Sequence, residues 1–101
     1  MWLLAMFDLP VETKTQRRIA TNFRKGLLKD GFTMLQLSVY ARYCANENAS
    51  EAHRKRIKAG IPDEGFVRVV SLTDIQFAKM GNYVGKKRKD PEPVPAQLEF
   101  F

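Results

Sequence analysis

An α+β sandwich, with two helices on one face of a small sheet, is the fold class that this 101-residue sequence predicts. Three observations predict it. The apolar run Trp2-Leu3-Leu4-Ala5-Met6-Phe7 stops at Asp8-Leu9-Pro10, as a buried strand does. Ile19, Phe23 and Leu27 then recur at i+4, the stripe of a helix with one face on a core. Two further strand-like segments, 32–43 and 66–72, bracket a second helix. The length suits one domain, expected over residues 1–85, followed by a basic, Pro-rich tail over 86–101.

Thr13 and Gln16 have the spacing of a capping box, so the first helix should open there, and Asp30-Gly31 supplies its left-handed stop. Its opposite face carries Lys14, Arg17, Arg18, Arg24, Lys25 and Lys29. Residues 32–43 alternate as one strand. Leu35, Leu37 and Val39 point one way, and Met34, Gln36, Ser38, Tyr40 and Arg42 point the other. Asn46-Glu47-Asn48 opens a second helix that runs to about Ala59 and ends at Gly60-Ile61-Pro62, with a thin apolar face of Ala49, Ala52 and Ile57. Phe66 to Leu72 is a strand by its β-branched content. A connector, Asp74 to Lys79, leads to an expected last core strand at Met80-Gly81-Asn82-Tyr83-Val84. Lys86-Lys87-Arg88-Lys89 and Pro91, Pro93 and Pro95 read as a solvated tail ending in the apolar Leu98-Glu99-Phe100-Phe101.

The helices are expected to cover the Leu35/Leu37/Val39 face. That leaves the Met34/Gln36/Ser38/Tyr40 face uncovered within one chain, which predicts a two-fold homodimer buried through those four residues. The terminal Leu98, Phe100 and Phe101 can add as a strand to an open sheet edge of a partner.

Seventeen Lys and Arg against eleven Asp and Glu leave a net charge of +6, so a polyanion is the first partner to test. Three basic clusters, at 14–29, 54–58 and 86–89, point to phosphate contact, with Lys14, Arg17, Arg18 and Arg24 its candidates. No apolar run approaches the roughly twenty residues needed to span a bilayer, and no secretory leader is recognisable. A cytoplasmic location without membrane association is therefore expected. One cysteine, Cys44, and one histidine, His53, cannot build a zinc cage. Cys44 reads as a half-buried small hydrophobe and His53 as a solvated helix residue. There is no P-loop, dinucleotide fingerprint, nucleophile elbow or RNA-recognition aromatic motif.

Asp8 is the most informative acid because it directly follows a buried strand, at the carboxyl end where α/β proteins place ligands. It either shapes the turn before Pro10 or ligates a hard metal. Mg²⁺ takes one or two carboxylates and keeps several waters, so a two-fold dimer would bring a second Asp8 to complete such a site. Asp63, Glu64 and Asp74 are further candidates whose ordinary roles are caps and loops.

Phe7-Asp8 at a strand end, the Arg-rich helix, Gly31-Phe32, Gln36-Leu37-Ser38-Val39-Tyr40 and the late Asn82-Tyr83-Val84-Gly85 together resemble the small CRISPR-associated endonuclease family of the spacer-acquisition machinery. The resemblance covers essentially the whole chain. It implies a ferredoxin-like, mostly antiparallel sheet and a homodimer of stacked sheets. It also implies Mg²⁺ shared between two Asp8 carboxylates, and assembly with CRISPR integrase dimers on captured duplex DNA. Asp8 matches the family's metal-binding and catalytic position, Arg17 and Arg18 its basic first-helix residues, and Ser38 and Tyr40 its second-strand motif. The aromatic before the Asp, often Tyr in the family, is Phe7 here. The resemblance requires two strands within 32–43, where no Gly- or Asn-based turn marks a break.

Two functions follow from different classes. One is an Mg²⁺-dependent phosphodiesterase acting on RNA or DNA through Asp8. The other is a scaffold that binds duplex DNA and bridges integrase dimers, favoured because so few carboxylates are poised for metal chemistry. A non-catalytic ferredoxin-like regulatory or small-ligand-binding domain is the alternative, and it leaves the basic clusters unexplained.

Overall fold

A computed structural model describes residues 1–87 of the chain. Its elements are β1 (Trp2–Asp8), α1 (Lys14–Lys29), β2 (Thr33–Gln36), β3 (Val39–Tyr43), α2 (Glu47–Ala59), β4 (Phe66–Leu72) and α3 (Asp74–Ala78). The sheet is antiparallel throughout, in the order β2-β3-β1-β4. That order with a βαββαβ succession is the ferredoxin-like arrangement. The two central strands are β1 and β3, and β4 lies at an edge.

Local signals set the helix ends. Thr13 Oγ1 accepts from the Gln16 amide at 3.1 Å, while Gln16 Oε1 accepts from the Thr13 amide at 2.9 Å, closing the capping box of α1. Gly31 follows the helix at φ 85°, and Phe32 N–H returns to the Leu27 carbonyl at 3.0 Å. A Cβ at Gly31 would stand 2.8 Å from Arg42 Nε, which donates to the Asp30 carbonyl at 3.2 Å and so satisfies the end of α1. Asn46 Oδ1 caps α2 by accepting from the Ala49 amide at 2.9 Å.

The segment 32–43 is a hairpin and not one strand. Its turn is Leu37-Ser38, with Ser38 at φ 64°, and a register irregularity lies between Met34 and Gln36. Serine in this left-handed conformation carries none of the usual Gly or Asn marking, which is why the break is silent in the sequence.

The sheet's two faces are also the reverse of the expectation. Leu3, Ala5, Phe32 and Tyr40 are buried with Phe23 and Leu27 of α1 and Ile57 of α2, and Phe7 and Met34 pack against them. Tyr40 is 1% exposed. The helices therefore cover the Met34/Tyr40 face, so Met34, Gln36, Ser38 and Tyr40 do not make up one open surface of the chain: Tyr40 is buried, and the irregularity after Met34 pairs exposed Gln36 with Val39. Both sides of the hairpin are comparably apolar, so alternation alone could not say which side the helices take. Leu37 is neither core nor helix-covered; it stands 78% exposed at the turn.

The other face carries Leu4 and Ala41, buried under Phe77 of α3, with Trp2, Leu35, Val39, Leu72 and Met80 around them. Trp2 and Phe77 stack with ring centroids 4.0 Å apart. The expected connector 74–79 is thus a capped helix that closes part of this face. Thr73 and Gln76 form its capping box. Met80 to Val84 forms no strand, and Tyr83 is 94% exposed.

Candidate functional site

Asp8 closes β1 and lies opposite Phe66 at the start of β4. Paired residues share a sheet face, so Asp8, Met6 and Leu4 belong to the face away from α1 and α2. Two backbone features and one side chain shape this end of the sheet. Phe7 N–H donates to the Ser38 carbonyl at 3.0 Å, which ties the hairpin turn to β1. Gly65, at φ 101°, lets the loop into β4 close on β1, since a Cβ there would meet the Asp8 carbonyl oxygen at 2.7 Å. Arg17 Nη1 donates to the carbonyls of Val11 at 3.1 Å and Glu12 at 3.0 Å, fixing the loop from β1 to α1.

Asp8 itself is exposed and borders two concavities. On the open sheet face, one of about 270 Å³ is lined by Met6, Asp8, Val39, Phe66 and Arg68. The Arg68 guanidinium carbon lies 4.4 Å from the Phe66 ring centroid, a cation–π contact. On the helix side, a concavity of about 500 Å³ lies between Asp8, the Ala20–Arg24–Leu28 row of α1 and the turn at Leu37-Ser38. Tyr40 also lines it; burial raises its hydroxyl pKa, an effect the nearby Arg24 charge opposes.

The basic candidates form one surface. Lys14, Arg17, Arg18, Arg24 and Lys25 are all exposed on α1, away from buried Phe23 and Leu27. Arg17 combines that position with its structural duty on the loop.

The other acids do not join Asp8. Asp74 pairs with the amino group of Met1 at 2.6 Å, at the opposite end of β1. Asp63 and Glu64 border a smaller cavity with Leu9 and Pro10. Among the described residues no three His, Cys, Asp or Glu are grouped to hold a metal. Among the described residues, Asp8 is the one carboxylate lining the two concavities it borders. That donor set fits the ion only with waters, substrate phosphate or a second copy's Asp8 completing its shell.

His53 departs from the expected solvated residue. It is buried, with Nδ1 2.7 Å from Asp30 Oδ2. Asp30 Oδ2 only accepts, while Arg56 Nη2, which only donates, lies 2.9 Å from the same His53 Nδ1, and Arg56 Nε donates to Asp30 Oδ1 at 2.9 Å, so the three side chains form one closed cluster. The buried residues of α2 are thus Ser50, His53 and Ile57; of the expected face, Ile57 is in the core and Ala49 packs against it. Cys44 is buried more deeply than expected, and burial raises its thiol pKa. The tail residues Leu98, Phe100 and Phe101 lie outside the described residues. No helix among those described is long and apolar enough to cross a membrane.

Gly65 and Ser38 were the shaping residues that sequence reasoning missed in these roles. Gly65 had a usable signal, the turn-rich Pro62-Asp63-Glu64 before it; Ser38 had none.

A ferredoxin-like sheet that ends its first strand in an exposed carboxylate, beside a helix with a basic face, defines a small α+β protein of the ferredoxin-like class. Comparison makes the assignment particular. The family model described as CRISPR associated protein Cas2 matches residues 1–80, and the chain belongs to that family. It is 50% identical over 101 residues, the whole of both chains, to a CRISPR-associated endoribonuclease Cas2 of Parvibaculum lavamentivorans. To a protein of the same name from Flavobacterium psychrophilum it is 46% identical, over all of this chain and 88% of that one. The fold is similar to the crystal structure of Streptococcus pyogenes Cas2 at pH 6.5. The TM-score is 0.64 at 19% identity, covering 83% of this chain and 100% of that one.

Proposed function

We propose that the protein serves CRISPR adaptation as a homodimeric scaffold that binds duplex DNA through the basic face of α1 and bridges integrase dimers. The observation that carries this is the contrast within the site: five exposed basic side chains on one helix beside two concavities in which, among the described residues, Asp8 is the one acid. Phosphate contacts of this kind give affinity without sequence preference.

The dimer of this reading uses the open sheet face, not the face that α1 covers. Asp8 lies on that open face, so a two-fold stack would turn two Asp8 carboxylates toward each other. Together they would hold Mg²⁺. A bound Mg²⁺ supplies charge neutralisation at a phosphodiester and an activated water. Asp8 would orient that site, and Arg24 and Arg18 would hold the strand beside it.

The relatives' name, endoribonuclease, favours a second reading, in which metal-dependent cleavage of RNA is the main activity. The two separate on Asp8→Asn. In the scaffold reading the variant keeps duplex binding and spacer acquisition while any Mg²⁺-dependent cleavage disappears. Loss of acquisition by a folded, DNA-binding Asp8→Asn protein would instead make cleavage obligatory.

A further inference from the structure

The helix-side concavity beside Asp8 is not explained by phosphate contact or by dimerisation. It is about 500 Å³, far more than a gap in packing, and lies off the sheet face assigned to a second copy. Three exposed apolar residues from three elements converge on it: Val11 from the loop after β1, Leu28 from α1, and Leu37 from the hairpin turn. Single exposed apolar residues are ordinary, but convergence around one hollow is the pattern of a binding site. Its polar members are Asp8, Arg24, Ser38 and Tyr40, against seven apolar ones.

The neighbouring charge identifies the occupant. Ala20, Arg24 and Leu28 recur at i+4, so one row of α1 makes a wall of the hollow. The next rows around the same helix carry Arg17, Lys14, Lys25 and Arg18. A mostly apolar hollow thus adjoins a basic helix surface and includes one carboxylate, Asp8. A flat heteroaromatic group attached to a phosphate chain meets both environments at once. An apolar peptide would leave the cationic row unmatched.

We propose that this hollow receives one unpaired nucleobase of a nucleic-acid strand whose phosphates lie along the basic face of α1. A paired base stays stacked inside its duplex and cannot enter, so the protein distinguishes frayed or single-stranded ends from blunt ones. A base seated here brings the adjoining phosphodiester into the neighbourhood of Asp8, which lines the same hollow. The proposal rests on the reading of α1 as a phosphate-binding surface.

The test uses the full chain and two DNA probes of equal length, a blunt duplex and a duplex with a short single-stranded overhang carrying 2-aminopurine. The wild type should bind the overhang probe about tenfold more tightly and change its fluorescence. Leu28→Gln/Leu37→Gln should erase that preference while leaving blunt-duplex affinity unchanged. Leu37→Gln alone, at a turn residue exposed in the folded chain, should reduce the preference without risk to the core. Arg18→Ala/Lys25→Ala should weaken both probes equally. Equal wild-type binding of the two probes overturns the base pocket and leaves the phosphate reading of α1 intact. Failure to bind either probe removes both. If the leucine variants keep the overhang preference but lose association with the integrase subunit, the hollow docks protein and the proposal is wrong.

Discussion

The amide of Phe7 donates to the carbonyl of Ser38 at 3.0 Å, and this bond holds the β2–β3 turn against the strand that ends in Asp8. The acid, the hairpin tip and the adjoining hollow are therefore positioned together. Their geometry depends on a serine held at φ 64°, where most side chains are strained.

Ser38→Val places a β-branched side chain in that conformation. The expected cost is roughly 1–3 kcal/mol, read as a lower urea midpoint at unchanged m-value. Ser38→Gly removes the strain but frees the unfolded chain, and should lie within about 1 kcal/mol of the wild type. A Ser38→Val protein as stable as the wild type would show that the turn is not the constraint described.

The Asp30 carboxylate sits at the end of α1, the negative end of the helix dipole, and is held there by His53 and Arg56. Asp30→Ala removes the carboxylate that faces both the buried His53 ring and the Arg56 guanidinium. A loss of about 1–3 kcal/mol is expected, or roughly 4–8 °C of Tm per kcal/mol for a domain of this size. Arg56 is half exposed, and Arg56→Ala should cost less than about 1 kcal/mol. Calorimetry on both variants checks the ranking; equal losses would contradict it.

Much of this architecture is legible in the sequence because its signals are local. The Thr13/Gln16 box, the Asp30-Gly31 stop, the Asn46 cap and the β-branched run 66–72 each state their element through nearby residues. The same Thr-x-x-Gln spacing recurs at Thr73 and Gln76, so α3 also carries a start signal, obscured by its brevity and by the strand-like Met80–Val84 that follows. What stays hidden is non-local. No neighbour of Met34 or Tyr40 says which side of the sheet α1 will cover, and His53 becomes a core residue only because Asp30, far away in sequence, meets it. Asp8 was readable as a strand-end acid. That Gly65 and Ser38 frame it became visible only with the chain folded.

Burial raises the pKa of both Cys44 and Tyr40, so the folded state favours their neutral forms. The sign follows directly. Their contribution is complete below the unfolded-state values, about 9 for the thiol and about 10 for the phenol. It is lost as pH climbs from those values through the raised folded ones. The urea midpoint should fall above about pH 9, and Cys44→Ala should flatten the first part of that fall. An alkaline profile identical in wild type and Cys44→Ala would remove the thiol from the explanation.

The most direct test of the central claim, that the basic face of α1 binds the phosphate backbone, is the salt dependence of duplex affinity for wild type and Arg18→Ala/Lys25→Ala. The account predicts weaker binding by the variant to unrelated duplexes alike, and a log–log slope shallower by about 0.9 for each phosphate contact removed. An unchanged slope, or a loss confined to one duplex sequence, would contradict it.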